Sequence, residues 1–200
     1  ELNWMTAGSG IAHSERSGAD WRAHGGTLSG LQLWVALPQA QEETAPAFDH
    51  YDAAHLPIVK DNGVEARIIA GAALGARSPV KTFCDTVFVD FNLAAGASAP
   101  VDAAHEERAL YIFSGSVEIA GDTFEAGRLG VLKPGAGIAV RAVAPARFAL
   151  IGGETADGPR HIWWNFVSAR KERIEQAKAD WAAGRFAAVP GESEFIPLPG

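Results

Sequence analysis

Short apolar runs separated by glycine and proline turns occupy most of the chain after residue 86. Between Val87 and Leu93, apolar residues recur at every second position, the period of a strand with one face on a core. Further short strands are predicted at residues 109–113, 117–119, 129–132, 138–143 and 148–151, with turns at Ser114-Gly115, Gly121-Asp122 and Pro134-Gly135 between them. Six or more strands at this spacing predict an all-β sandwich or barrel.

The period changes near the C-terminus. Ile174, Ala177 and Trp181 fall on one helical stripe, which predicts an amphipathic helix from an N-cap at Ser168 to Gly184. The closing residues contain three prolines, Pro190, Pro197 and Pro199, and are predicted to be extended.

The first third of the chain is less regular. An apolar run from Leu31 to Leu37 ends at Pro38 and predicts a buried strand, with Trp34 as a core residue. Residues 39–63 are rich in Ala, Asp and Glu, and they end in the turn sequence Asp61-Asn62-Gly63. This composition indicates a segment that connects two domains.

His13 and Glu15 stand two residues apart behind a glycine turn, within the run Trp4-Met5-Thr6-Ala7-Gly8-Ser9-Gly10-Ile11-Ala12-His13-Ser14-Glu15. On an extended strand, side chains at i and i+2 point to the same face, so the imidazole and the carboxylate could converge on one metal ion. His-x-Glu is by itself a weak motif, since such triplets arise often by chance.

Composition excludes several classes of function. The formal charge of −7 argues against direct nucleic-acid binding, which needs clustered cations. One cysteine, Cys84, excludes an intramolecular disulfide and fits a reducing compartment. No stretch approaches the ~20 apolar residues that span a bilayer, so we expect a cytoplasmic protein without membrane contact.

The sequence resembles the pirin family of double cupins. Besides the run ending at Glu15, the resemblance rests on Gly30–Pro38, Arg77–Val80, His105–Ala109, Leu132–Gly135, Trp163–Phe166 and Glu194–Pro199. It implies an all-β double cupin of two jelly-roll barrels plus one C-terminal helix. Residues 1–56 would be the C-terminal part of the first, metal-binding cupin, residues 57–63 a linker, and residues 64–200 the second cupin with the helix and an extended tail.

The resemblance also implies an Fe(II) site in the first barrel, with His13 and Glu15 as its third and fourth ligands. Zinc, nickel, copper and manganese are chemically compatible with such donors. In the family the first two ligands come from an upstream His-x-His pair, and these 200 residues contain none. We expect a piece of a longer protein, or an N-terminal fragment that supplies the missing histidines. The alternative is a degenerate relative that has lost the metal.

Two functions follow from the resemblance. The first is a metal-dependent dioxygenase that cleaves flavonols such as quercetin with dioxygen and releases carbon monoxide, with Glu15 as the catalytic base. In that case Met5 lines the pocket mouth or simply packs in the core, and Arg16 lies at the rim beside the phenolic substrate. The alternative is a non-enzymatic, iron-dependent redox-sensing regulatory protein that binds a protein partner.

The second barrel is predicted to be metal-free. It has one histidine, His105, where two ligands of this type are expected, so Glu106 and Glu107 are interpreted as loop or ion-pair groups.

Overall fold

The computed structural model describes all 200 residues and is built mainly of β-strands. In chain order the strands are β1 Leu2–Thr6, β2 Ala47–Tyr51, β3 Ile58–Asp61, β4 Val64–Ala70, β5 Ala72–Ala73, β6 Ala76–Arg77, β7 Thr86–Leu93, β8 Ser98–Val101, β9 Glu107–Ser114, β10 Ser116–Ile119, β11 Asp122–Glu125, β12 Leu129–Val131, β13 Ile138–Ala142, β14 Ala146–Gly153, β15 His161–Trp163 and β16 Phe166–Ser168. The helices are α1 Ala19–His24 and α2 Lys171–Ala182, with 3-10 turns at Gln39–Gln41 and Ala53–His55. The all-β prediction is confirmed.

One compact unit comprises Glu1–Trp4 and Asp49–Thr155. Its six-stranded sheet has the order β12-β9-β14-β7-β4-β3, and its four-stranded sheet has the order β11-β10-β13-β8. Apolar side chains from both sheets form one core, at whose centre Phe91 and Phe148 stack with ring centroids 4.8 Å apart. This is the two-layer arrangement of a cupin barrel.

The strands predicted between residues 87 and 151 are present, with bounds within a few residues of those expected. The alternation in β7 has the predicted sense, because Val87, Val89, Phe91 and Leu93 are all buried. A period of two therefore identified the core face directly.

The predicted linker at residues 57–63 contains a strand. β3 pairs antiparallel with β4 across the Asn62-Gly63 turn, with Ile58 opposite Arg67 and Asp61 opposite Val64. A two-residue turn that contains Asn-Gly favours a hairpin, so the turn predicted at Asp61-Asn62-Gly63 is present, and the role of residues 57–63 as a linker between domains stays a prediction. Next to this hairpin lies a small second core around Leu56, Ala70 and Val80.

The other compact unit comprises Met5–Phe48 and Ala156–Gly200. It contains the hairpin β15-β16 and helix α2, whose Ile174 and Ala177 are buried as predicted. The helix begins two residues later than expected. Ser168 lies two residues before the N-cap position, which Arg170 occupies, and its hydroxyl accepts the Arg170 N–H at 3.1 Å.

The strand predicted at Leu31–Leu37 is absent, and Trp34 is 60% exposed. Both predictions were wrong. No other strand lies alongside this segment to complete a hydrogen-bonded ladder, and an isolated strand is not stable in water. None of the helices has the length and apolar character needed to cross a lipid bilayer.

Candidate functional site

A glycine turn leads from β1 into the candidate site. Gly8 has a φ of +51°, and a Cβ there would lie 2.1 Å from the Thr44 carbonyl oxygen. That same oxygen accepts the Ser9 N–H at 2.9 Å. Gly10, with a φ of +139°, lies against the Phe186 ring, 2.8 Å from where a Cβ would stand. Glycine is required at both positions because the backbone approaches its neighbours too closely for any side chain.

His13 and Glu15 follow this turn in a segment without regular structure. Residues 11–18 belong to no strand or helix, so the strand predicted for this pair is absent. Both side chains are exposed and neither forms a hydrogen bond or an ion pair within the chain. The convergence of the two on one ion stays a prediction, and both groups are free to take a ligand.

Arg16 is held by two carboxylates of the C-terminal tail. Its Nε donates to Glu192 at 3.0 Å, one terminal nitrogen donates to the second oxygen of Glu192, and the same nitrogen donates to Glu194 at 2.9 Å. The hydrogen bond from Arg16 lowers the pKa of Glu192, and the Ser14 side chain adds a smaller lowering. The hydrogen bonds with Glu192 and Glu194 in turn raise the pKa of Arg16.

A second ionic network ties residues 37–43 to the hairpin β15-β16 and helix α2. Glu42 lies 2.9 Å from the Arg160 Nε, and it accepts the Ser168 hydroxyl and the Ala169 N–H, both at 2.8 Å. Arg160 also donates to the Leu37 carbonyl oxygen at 2.7 Å. Both side chains are about nine-tenths buried, so removal of either one would leave the charge of the other buried and uncompensated.

Comparison with known proteins decides the family. The model described as the pirin C-terminal cupin domain matches residues 88–187, and the model described as pirin matches residues 1–35. A pirin-like protein of Caulobacter vibrioides is 47% identical over 100% of this chain and 69% of its own length. The chain belongs to the pirin family.

Human pirin is 34% identical over 90% of this pirin chain, which spans 63% of the human protein. A crystal structure of quercetin 2,3-dioxygenase from Acinetobacter baumannii superposes with a TM-score of 0.88 and 25% identity, covering 93% of this chain and 66% of that one. The chain therefore spans about two thirds of the relatives that it matches.

This pirin chain does not by itself form a complete metal site. The structure contains no group of three or more His, Cys, Asp or Glu side chains placed to hold an ion. His13 and Glu15 supply two donors of suitable chemistry, whereas a protein site for a transition metal ordinarily uses three or four. Any metal held at these residues would need further donors.

In the second barrel, His105 is committed to structural contacts. It is 7% exposed, with Nδ1 2.7 Å from the Asp85 carboxylate and Nε2 3.0 Å from the Ala72 carbonyl oxygen. Glu106 accepts the Thr155 N–H and Glu107 accepts the Thr155 hydroxyl, each at 3.2 Å. All three side chains therefore fasten loops of this barrel.

Sequence reasoning did not predict the long-range ion pairs of Arg16 and of Glu42. Glu192 and Glu194 lie more than 170 residues from Arg16, and Glu42 lies more than 100 residues from Arg160, so no local pattern relates these pairs. Met5, expected at a pocket mouth or in the core, is half-buried on β1. Of the remaining histidines, His24 donates from Nδ1 to the Asp20 carbonyl oxygen and His50 pairs with Asn3, so neither joins His13.

Proposed function

We propose that this protein acts as a metal-dependent dioxygenase of the pirin type, which cleaves flavonols such as quercetin at an Fe(II) site to which His13 and Glu15 contribute two ligands. The observation that carries the proposal is the structural match to quercetin 2,3-dioxygenase over 93% of the chain at 25% identity. The free state of both donor side chains supports it.

In this proposal the iron, once bound, supplies a Lewis acid that favours the ionised flavonol and a centre at which dioxygen reacts. The His13 imidazole would bind through a neutral nitrogen. The Glu15 carboxylate, exposed and without a hydrogen-bond partner, would accept the proton of the flavonol 3-hydroxyl. The proposal takes the two further donors from the upstream His-x-His pair that the family resemblance implies.

Met5 and Arg16 complete the proposed substrate contacts. The Met5 thioether suits a flat aromatic ring because it is flexible and polarisable. The Arg16 donors are directed to Glu192 and Glu194, so its effect on a phenolate would depend on that pairing. Arg16→Met should change the ratio of kcat/KM values between two flavonols of different charge, and an unchanged ratio would remove Arg16 from the substrate site.

The complete gene product, loaded anaerobically with Fe(II), provides the test. We expect it to consume dioxygen with quercetin and to release carbon monoxide. His13→Ala and Glu15→Gln should each reduce bound iron by about tenfold or more, since each removes a ligand. His161→Ala is the matched control, because the His161 side chain is also exposed and forms no hydrogen bond or ion pair.

Iron content unchanged in both ligand variants would contradict the site. Retained iron binding without oxygen consumption would contradict the dioxygenase, and it would favour the regulatory function, in which affinity for a protein partner changes between Fe(II) and Fe(III).

A further inference from the structure

The segment that carries His13 and Glu15 has no strand partner, yet it is tied down at the positions next to those residues. Arg16 binds two carboxylates, those of Glu192 and Glu194. No backbone ladder restrains residues 11–18, so the ion pairs of Arg16 contribute to limiting their conformations.

The carboxylates are themselves fixed through the tail. Phe195 stacks on Trp181 of α2 with ring centroids 5.4 Å apart, and the Trp181 indole N–H donates to the Ile196 carbonyl oxygen at 2.8 Å. Glu194 directly precedes this anchored pair. A continuous set of contacts therefore runs from α2 through the tail to Arg16.

The pairing geometry is stronger than that of a simple surface contact. Arg16 presents Nε and one terminal nitrogen to the two oxygens of Glu192, which is the bidentate arrangement in which guanidinium and carboxylate fix each other's orientation. Glu192 is the less exposed acid, with 21% of its side chain accessible against 74% for Glu194. Glu192 should therefore contribute most of the restraint.

We propose that Glu192 and Glu194 are positioning residues for the candidate site: through Arg16 they hold residues 13–16 in one conformation, so that His13 and Glu15 are preorganised for a ligand. The function assigned to that ligand rests on the proposed dioxygenase, but the restraint does not. Neither glutamate would touch metal or substrate.

Trypsin provides a direct test on the 200-residue chain, because Arg16 must leave its carboxylates before the protease can accept it. Cleavage after Arg22, an exposed arginine without an ion pair, serves as the internal reference. In the Glu192→Gln/Glu194→Gln variant, the rate after Arg16 relative to Arg22 should rise about two- to fivefold, the range typical of losing exposed ion pairs. Glu172→Gln removes a charge from an exposed glutamate that forms no ion pair, and it should leave the ratio unchanged.

An unchanged cleavage ratio in the double variant would overturn the proposal. A second measurement tests the positioning role in the complete gene product: Fe(II) should dissociate faster from Glu192→Gln/Glu194→Gln and from Arg16→Gln, with partial rescue in Arg16→Lys. Faster trypsin cleavage with unaltered Fe(II) dissociation would reduce the two glutamates to a loop restraint and overturn preorganisation. If wild-type protein binds no Fe(II), the proposed function fails, and the trypsin ratio alone decides whether the restraint exists.

Discussion

Arg108 is the largest side chain that the structure buries almost completely, at 2% exposure. No carboxylate pairs with it. Its guanidinium donates instead to the carbonyl oxygens of Asp102, Lys133 and Ala136, the last two at 3.0 and 2.9 Å. One cation thereby satisfies three loop carbonyls at the end of the barrel, and such hydrogen bonds are stronger than those between neutral groups.

Arg108→Met should therefore lower the free energy of unfolding by about 3 kcal/mol, because buried acceptors would lose their donor. Urea unfolding followed by circular dichroism measures this. Arg128→Met is the control, since Arg128 is exposed and forms no ion pair, and it should change stability by less than about 0.5 kcal/mol. Equal effects from the two variants would contradict the role assigned to Arg108.

The ionisation of Asp157 makes the stability of the protein depend on pH in the acid range. The hydrogen bond from Arg160, and then that from the Gln39 N–H at 2.8 Å, lower the pKa of Asp157 below its ordinary 3.8. The ionised Asp157 carboxylate therefore stabilises the folded state, and this stabilisation is complete above pH 3.8, the ordinary pKa. It is lost as the pH falls through the lower pKa that Asp157 has in the folded protein.

Asp157→Asn should reduce stability at pH 7 and make the remaining loss below pH 3.8 shallower than in the wild type. Urea midpoints across that pH range test the sign. Asp122→Asn, at an exposed aspartate without an ion pair, should lose stability below pH 3.8 as steeply as the wild type. A steeper loss in Asp157→Asn than in the wild type would be inconsistent with a lowered pKa of Asp157.

At the scale of elements, the predictions from sequence agree with the structure where the pattern behind them is local. The alternation in β7 and the stripe of Ile174 and Ala177 on α2 were readable because each reports a face that the element buries. The run Leu31–Leu37 has the same apolar character but no strand beside it. The contacts around His13 and Glu15 come from Glu192 and Glu194, and a pairing across more than 170 residues leaves no periodic signal.

The turn at Gly8, which precedes residues 11–18, has no room for a side chain. Gly8→Ala combines a φ of +51° with a Cβ 2.1 Å from a backbone oxygen, which cannot move away like a flexible side chain. The substitution should lower the free energy of unfolding by about 2 kcal/mol or more and displace the following residues. Gly130→Ala, where nothing lies within 4 Å and φ is not positive, should be nearly neutral. Equal thermal midpoints for the two variants would contradict this.

At the scale of the whole molecule, the chain divides into two compact units with different kinds of interior. Glu1–Trp4 with Asp49–Thr155 buries aliphatic and phenylalanine side chains between two sheets. Met5–Phe48 with Ala156–Gly200 relies on aromatic pairs such as Trp164–Trp181 and on the Glu42–Arg160 ion pair. The candidate ligands belong to the second of these units, and the predicted bounds 1–56, 57–63 and 64–200 stay a prediction for the family's domains.

The hydrophobic core of the unit Glu1–Trp4 with Asp49–Thr155 is built around Phe148 and Phe91. Phe148 is fully buried and stacks on Phe91, so Phe148→Ala should destabilise this unit by about 4 kcal/mol through lost burial and a residual cavity. Circular dichroism is the appropriate probe, because five of the six tryptophans, Trp21, Trp34, Trp163, Trp164 and Trp181, lie in the other unit. Val143→Ala, at a half-exposed position, should change the midpoint little. A Phe148→Ala midpoint as close to wild type as that of Val143→Ala would show that the two sheets do not depend on this stack.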